Sequence, residues 1–464
     1  MPFSRPDSDT PFRILVLGDF GAHAASGRPV SIDRDNFDQV MSRFGVQLDL
    51  PGAGVLHFKE LEDFHPDRLY QSLDLFRDLR SLRSDIQDPD KSRKIIAEMM
   101  GSKPQPAPAP VKAAPQAPPP PAPRSGGSLL DEIMDSGGAA PAPAPIRADD
   151  PIQKRIHEIV APYLVAKPDA RQAELLAQVD SAVADQMRAL LHYRGFQALE
   201  AAWRALDFLI RNTETGTDLK IYIMHLPHKK IAADLLPAND LRHTALYRML
   251  VEETVGTQGG QPWALVAANY TFGPGNQDVE LLGRMALLCA AAGSPVIARA
   301  DAALLGDAEE LASWRDLQKL PESQYVGLAL PGFSLRLPYG ANASSSDVFP
   351  FEEMPAEPKH KDYLWGNPAF LCAYLIADGF SDMGWETQPG DALDVSGLPA
   401  HVYHKDGEAI MKPCAEVLIT ESEAAALMKR GLIPLLSYKN SDRVHVAGFR
   451  SITGQPLAGR WSGN

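Results

Sequence analysis

The strongest constraint on how this chain can fold is a stretch rich in proline and alanine. Thirteen of its 40 prolines lie between Pro104 and Pro145, a composition that buries little apolar surface and favours extended polyproline II structure. Such a stretch tethers folded domains without fixing their orientation. The 464 residues are enough for two or three domains. We therefore predict an N-terminal domain over residues 1–101, a linker over residues 102–150 and a larger domain over residues 151–464.

The residues before the linker show the pattern of a small α+β domain. The apolar run Arg13–Gly18 predicts a buried strand that enters a turn. Apolar residues at helical spacing within 37–44 predict a helix. Val55–Phe58 is predicted as a second strand. Residues 66–100 keep helical spacing and are predicted to form two helices, because Pro89 interrupts them.

The residues after the linker alternate between helical and strand patterns. Helices are predicted over residues 152–160, 171–211 and 279–292, and strands over residues 219–226, 263–268, 295–298 and 325–330. This alternation favours a layered α/β domain. The fold class predicted for the whole chain is therefore α/β, with an α+β domain before the linker.

Charge and composition exclude several classes of function. The formal net charge of -14 argues against binding to nucleic acid or to an anionic membrane surface. The three cysteines are far apart in sequence, which predicts neither a disulfide framework nor a zinc ribbon. Residues 1–12 lack the apolar core of a secretory signal, and no apolar run reaches the roughly 20 residues of a membrane helix. We therefore expect a cytoplasmic protein.

Patterns typical of catalysis are weak. No glycine-rich loop has the spacing that cradles phosphate, and no serine has the flanking glycines of a nucleophile elbow. His225 and His228, like His401 and His404, lie near probable strand ends, so we interpret them as solvated rather than as metal ligands. We predict no catalytic residue, no cofactor and no metal site. A hydrolase stays a remote alternative, which would require a deep pocket with converging titratable groups.

One short segment inside the linker is amphipathic. Residues 128–135 could form a short helix whose apolar face consists of Leu129, Leu130, Ile133 and Met134. A helix of this length does not persist alone. Two interpretations stay open, a peptide that docks onto a partner and a fragment that packs on its own domain.

A helix of the larger domain carries both apolar and charged residues at regular spacing. Its apolar face consists of Phe196, Leu199, Trp203 and Leu206, which we interpret as core residues. Glu200 and Arg204 are four residues apart, so they can form an ion pair on the helix.

The order of residues in this helix, Phe-Gln-x-Leu-Glu-x-x-Trp-Arg-x-Leu, resembles the large (TssC-like) subunit of the contractile sheath of bacterial type VI secretion systems. Further motifs follow in the order of that family, in residues 259–262, 335–340, 351–353, 363–367, 416–417 and 431–435. Within them, the motif residues are Arg336, Pro338, Tyr339 and Trp365. The N-terminal domain is similar to the small (TssB-like) sheath subunit in residues 14–20, 32–41 and 58–66.

This resemblance implies a fusion of both sheath subunits in one structural, non-enzymatic protein. Such a protein is expected to assemble with further copies of itself around an inner-tube protein, to contact baseplate components, and to contract. Leu129, Leu130, Ile133 and Met134 match a segment that in this family docks onto an AAA+ unfoldase. In this family the large subunit continues well past the equivalent of Gly448 and Phe449, whereas this sequence stops at Asn464, so the large-subunit region is expected to be shortened. The alternative is a non-polymerising, sheath-derived adaptor or a cap or baseplate-associated protein.

Overall fold

A computed structural model describes residues 5–23, 27–51, 54–99, 170–306, 311–341 and 343–462. In these ranges the helices are α1 Phe37–Phe44, α2 Pro66–Ser72, α3 Arg77–Gln87, α4 Pro89–Met99, α5 Ala170–Leu191, α6 Arg194–Asn212, α7 His228–Leu235, α8 Ala245–Tyr247, α9 Asn276–Ala292, α10 Ala312–Gln318, α11 Pro368–Met383 and α12 Glu421–Lys429. The strands are β1 Phe12–Gly18, β2 Val30–Ile32, β3 Val46–Leu50, β4 Gly54–Phe58, β5 Leu219–His225, β6 Leu265–Phe272, β7 Val296–Ala300, β8 Val326–Leu330, β9 Phe333–Ser334, β10 Trp365–Gly366, β11 Asp394–Val395, β12 Val402–Lys405, β13 Glu408–Met411, β14 Leu432–Ser437 and β15 Val444–Val446.

A mixed sheet forms the centre of the described chain. Its strand order is β11-β15-β14-β8-β7-β6-β1-β5-β2. The six strands from β14 to β5 are parallel to their neighbours, whereas β2, β15 and β11 are antiparallel. The parallel strands are apolar along most of their length, as expected for strands that are covered on both faces. The α/β prediction is confirmed.

Strand β1 lies in the middle of this sheet, between two strands from beyond the linker. It pairs in parallel with β5 on one side and with β6 on the other, so that Ile14 lies opposite both Ile221 and Leu265. Every residue of β1 except Arg13 is buried. The domain boundaries after residue 101 and before residue 151 remain predictions. The two predicted domains nevertheless contribute strands to the same sheet.

The chain divides into two compact units. The first consists of Met1–Asp78 and Asp180–Asn464, and the second of Leu79–Val179. In the second unit, Gln172 Nε2 donates to the Ile86 carbonyl oxygen at 2.7 Å. We use the terms N-terminal segment for residues 5–78 and C-terminal segment for residues 180–462, both of which belong to the first unit. The predicted helix over residues 152–160 and the amphipathic residues 128–135 lie outside the described residues.

Two predicted helices are interrupted. The helix predicted over residues 171–211 is in fact α5 and α6, because Tyr193 adopts an extended conformation with φ -68° and ψ 126° and its carbonyl accepts the first hydrogen bond of α6. Residues 66–88 are also broken, since Leu73 is extended and buried. The apolar spacing continues across both breaks, so it did not predict them. Pro89 begins α4, in agreement with the prediction.

Membrane insertion can be assessed for the described helices. None of them is both long and apolar enough to cross a lipid bilayer.

Candidate functional site

The apolar face of α6 packs against phenylalanines of the N-terminal segment. The ring centroid of Trp203 lies 5.5 Å from Phe20, 5.7 Å from Phe37 and 6.2 Å from Phe44, each pair edge to face. Trp203 Nε1 also donates to the Phe20 carbonyl oxygen at 3.1 Å. Such aromatic pairs contribute about 0.5–1.5 kcal/mol each beyond the burial of their area. We call the whole set of contacts between residues 5–78 and residues 180–462 the seam.

A second aromatic group extends the seam from the first turn of α6. Phe196 lies 6.1 Å from Phe58 and 5.6 Å from Phe64, and these two rings stack on each other at 4.2 Å. Phe58 and Phe64 are fully or almost fully buried, as is Phe196. The N-terminal segment thus supplies aromatic side chains that pack against both Phe196 and Trp203 of α6.

Glu200 is the centre of a buried charged network beside this apolar face. Its Oε1 lies 2.7 Å from Arg204 Nε, the pair that the spacing predicted, and 2.7 Å from Arg336 Nε. Arg336 also contacts the Glu353 carboxylate at 2.6 Å through Nη1. Glu200 and Glu353 have at most 1% of their surface exposed. Buried charges persist only when they are paired and hydrogen-bonded, and each carboxylate meets that condition.

The electrostatics of the network keep Glu353 and Arg336 charged. Burial opposes ionisation of Glu353, but the adjacent Arg336 and the Tyr339 backbone N–H lower its pKa to about 2. Burial also disfavours the Arg336 cation, yet Glu200 and Glu353 together raise its pKa well above the usual range. Burial raises the pKa of Tyr339 to about 12, so its hydroxyl keeps its proton. Glu353 and Arg336 therefore form a permanent ion pair and not a proton relay.

Tyr339 connects this network to the N-terminal segment. Its hydroxyl accepts a hydrogen bond from Arg204 Nη2 at 2.9 Å and lies 3.5 Å from the Phe64 carbonyl oxygen. The His65 ring packs against its edge at 5.1 Å. A few residues further on, the Asp347 backbone N–H donates to the Asp67 carboxylate at 3.0 Å. The motif around Tyr339 thus contacts both segments.

Arg34 fastens the N-terminal segment to the other end of α6. Its guanidinium donates to the carbonyl oxygens of Ile210, Arg211 and Thr213. The last carbonyls of a helix have no partners within the helix and attract cations. Arg34 therefore satisfies the carboxyl end of α6 from across the seam.

The predicted motif residues are placed as follows. Phe196, Leu199, Trp203 and Leu206 are buried on α6. Glu200, Arg204, Arg336 and Tyr339 come together in the network, with the buried Pro338 between the last two in sequence. Trp365 lies apart from the network, where its indole donates to the His360 carbonyl oxygen at 3.0 Å. Leu129, Leu130, Ile133 and Met134 lie outside the described residues.

Sequence reasoning did not single out Glu353 of the charged network, or Arg34 and Phe20 of the seam. Glu353 and Arg34 lie within motifs that carried the resemblance, so their position was marked but their role was not. Phe20 likewise lies in the motif of residues 14–20 that carries the resemblance, but no role was predicted for it. Its backbone N–H donates to His225 Nδ1 at 3.2 Å, which places that histidine in the seam. Burial lowers the pKa of His225 and so favours the neutral ring.

The cysteines are not activated for nucleophilic chemistry. Cys289, Cys372 and Cys414 are free and buried. Burial raises the pKa of Cys289 to about 12 and that of Cys414 to about 11. A reactive cysteine needs a lowered pKa, because the thiolate is the nucleophile.

The fold and the seam define a class of protein, in which an N-terminal segment completes the sheet of a larger α/β segment. Comparison with known proteins assigns both segments. The VipB family model, described as the EvpB/VC_A0108 tail sheath N-terminal domain, matches residues 173–453, and the type VI secretion system VipA model (VipA, VC_A0107 or Hcp2) matches residues 4–105. The chain belongs to the VipB tail sheath family and carries a VipA-type region ahead of it.

A curated relative supports this assignment. The chain is 32% identical over 320 residues to the type VI secretion system sheath protein TssC1 of Pseudomonas aeruginosa. The aligned region is 64% of this chain and 64% of that relative, so the chain spans somewhat less than two thirds of the relative's length.

Proposed function

We propose that this protein is a structural subunit of a type VI secretion contractile sheath, in which one polypeptide supplies both halves of the sheath protomer. The observation that carries the proposal is the position of β1 between β5 and β6. Removing β1 would leave two parallel strands without their shared neighbour in the middle of the sheet. The C-terminal segment therefore requires the N-terminal segment in order to complete its core.

Covalent fusion fits this requirement. A covalent connection raises the effective concentration of one segment near the other to about the millimolar range. It also ensures that the two segments are made in equal amounts. Copies that meet head to tail through heterologous contacts form rings or open helices, and we propose that copies of this protein assemble in that way around an inner-tube protein. Contraction would be a change between two packings of the same protomer.

The proposed role is structural and cytoplasmic. The buried ions of the charged network are paired with one another, and burial raises the pKa values of the free thiols, which supports a structural role over a catalytic one. The baseplate and an AAA+ unfoldase are proposed as further partners, the latter through Leu129, Leu130, Ile133 and Met134.

The proposal for the protomer can be tested by cutting the linker. A protease site placed within residues 105–123 should allow complete cleavage, after which the two fragments should still elute together from a sizing column. The matched control carries Trp203→Ala and Phe20→Ala, which should let the fragments separate after the same cleavage. Separation of the fragments without these substitutions would contradict the proposal that the segments form one protomer.

The proposal for assembly needs a different measurement. Electron microscopy of the purified protein, alone and with the inner-tube protein, should show tubes or rings. Discrete particles in both samples would instead support the alternative of a non-polymerising adaptor or cap.

The proposed unfoldase contact has its own test. Deletion of residues 128–136 should abolish binding of the unfoldase in a pull-down assay while the thermal unfolding of the protein stays unchanged. A control deletion of equal length within residues 105–121 should retain binding. Unchanged binding after the first deletion would refute the assignment.

A further inference from the structure

Two adjoining cavities lie beside the carboxyl end of α12. The larger has a volume of about 440 Å³. Its apolar walls consist of Leu305, Leu330, Val417, Leu418, Ile419 and Leu427. Val417 and Leu418 are 54% and 46% exposed. Adjacent apolar side chains with this exposure, at the mouth of an apolar cavity, are a feature of surfaces that bind a partner.

The smaller cavity, of about 250 Å³, carries positive charge. Arg315 of α10, Lys429 of α12 and Arg430 line it. Arg430 lines both cavities, and its Nη1 donates to the Leu305 carbonyl oxygen at 3.0 Å. Among the described residues, none of these three cations forms an ion pair with a carboxylate. We call the two cavities together the composite groove.

The carboxylates on the rim of the composite groove are engaged elsewhere. Glu416 forms an ion pair with Arg299, and Glu423 accepts a hydrogen bond from the Thr420 backbone N–H at 2.8 Å as part of the α12 cap. Attraction to the helix end accounts for Lys429 and Arg430. The same attraction accounts for Arg315 in the last turn of α10. It does not account for the convergence of three cations from two helix ends on one cavity, or for the exposure of the apolar wall. In a chain with a net charge of -14, the composite groove brings together three cations for which the described residues supply no carboxylate partner.

We propose that the composite groove binds an acidic, amphipathic segment of a partner protein. Leucine-like side chains of that segment occupy the apolar cavity, and carboxylates flanking them lie against Arg315, Lys429 and Arg430. Charge complementarity selects this partner, since a neutral apolar segment would leave the cations unused and a basic one would be repelled. The inference does not depend on whether the protein polymerises.

The test is a fluorescence anisotropy titration of the full chain. The probe is a labelled amphipathic peptide with leucines at helical spacing and flanking glutamates, and the matched control peptide has glutamines in place of the glutamates. The acidic peptide should bind, and the control peptide should bind about tenfold more weakly, because its glutamines cannot form ion pairs with the three cations. No binding of the acidic peptide, or equal binding of both peptides, would overturn the proposal.

Variants of the chain locate the contact. Leu418→Asp should abolish binding, whereas Leu287→Asp, at a similarly exposed leucine of α9, should leave it unchanged. The double variant Arg315→Gln and Lys429→Gln should weaken binding of the acidic peptide about tenfold and leave the control peptide unaffected. Binding that is insensitive to Leu418→Asp would place the peptide elsewhere and overturn the assignment.

Two other occupants are distinguished by further outcomes. Asp307, Glu309 and Glu310 lie outside the described residues, between the lining residues Gly306 and Leu311. If the peptide binds only after these three are changed to Asn, Gln and Gln, the chain's own carboxylates occupy the cations and the proposal is wrong. If Leu418→Asp lowers the oligomeric state in sedimentation and no peptide binds, the occupant is a second copy of this chain, which also overturns it.

Discussion

Two turns of α6 carry the same kind of ion pair, but the two pairs differ in their exposure to solvent. Glu200 with Arg204 and Asp207 with Arg211 are both four residues apart, and both have an oxygen-to-nitrogen distance of 2.7 Å. The Glu200 side chain is 0% exposed and that of Asp207 is 21% exposed, and the two arginines are 21% and 70% exposed. The first pair is joined by Arg336 from a distant motif, and the second pair is more exposed to solvent. Spacing along a helix therefore determines whether an ion pair forms. Burial determines how much the protein's free energy of unfolding falls when the pair is broken.

The largest effect should come from the buried pair. Glu200→Gln removes the carboxylate that both Arg204 and Arg336 contact and leaves buried positive charge without its partner. We expect a loss of about 3–5 kcal/mol in the free energy of unfolding, measured by urea denaturation, together with faster hydrogen exchange of the α6 amides. A loss below about 1 kcal/mol would show that burial does not increase the contribution of this pair to the free energy of unfolding.

Acid should reveal the same network through Glu353. Its pKa in the folded protein is about 2, below the ordinary 4.5, so its stabilising contribution is complete above about pH 4.5 and is lost as the pH falls toward 2. The contribution is on the order of 3 kcal/mol. The free energy of unfolding is measured between about pH 5 and about pH 2, a range that includes both pKa values. It should depend less on pH in the variant Glu353→Gln than in the unaltered protein. An unchanged pH profile would contradict the assignment of this carboxylate.

A smaller effect is expected where the network reaches the N-terminal segment. Tyr339→Phe keeps the ring and removes the hydroxyl that accepts from Arg204. Because hydrogen bonds to charged groups contribute about 1.5–3 kcal/mol and Arg204 keeps its bond to Glu200, we expect a loss of about 1–2 kcal/mol. Urea denaturation of the double variant Glu200→Gln and Tyr339→Phe should give less than the sum of the two single losses, since both act on Arg204. Additive losses would show that the two contacts are independent.

The smallest effect should come from the more exposed pair, Asp207 with Arg211. Asp207→Asn should change the free energy of unfolding by less than about 1 kcal/mol at neutral pH. Burial raises the pKa of Asp207 despite the adjacent Arg211, so its protonation on acidification stabilises the folded state, which is the opposite sign to Glu353. Unfolding measured for this variant across the same pH range tests that sign. A loss as large as that of Glu200→Gln would remove the contrast between the two turns.

The sequence predicted the local part of this arrangement. Spacing within a single element predicted three features: the apolar face of α6, the strand β1 and the pairing of Glu200 with Arg204. Such spacing can be read directly from the amino-acid sequence. The resemblance added Arg336 and Tyr339 as motif residues. Their contact with Glu200 spans 136 and 139 residues of sequence, and no periodicity within a helix or strand carries such a distance. The break at Tyr193 was missed for a related reason, because the apolar spacing continues through it.

The place of β1 in the sheet also bears on how the protein is made. The ribosome synthesises β1 first, yet its two neighbours follow only at residues 219–225 and 265–272. More than half of the chain must emerge before this apolar strand has both of its partners. Until then β1 has an unpaired backbone and uncovered apolar side chains, features that promote aggregation of nascent chains. Expression should therefore be sensitive to chaperone supply in a way that a chain with β5 and β6 encoded next to β1 would not be.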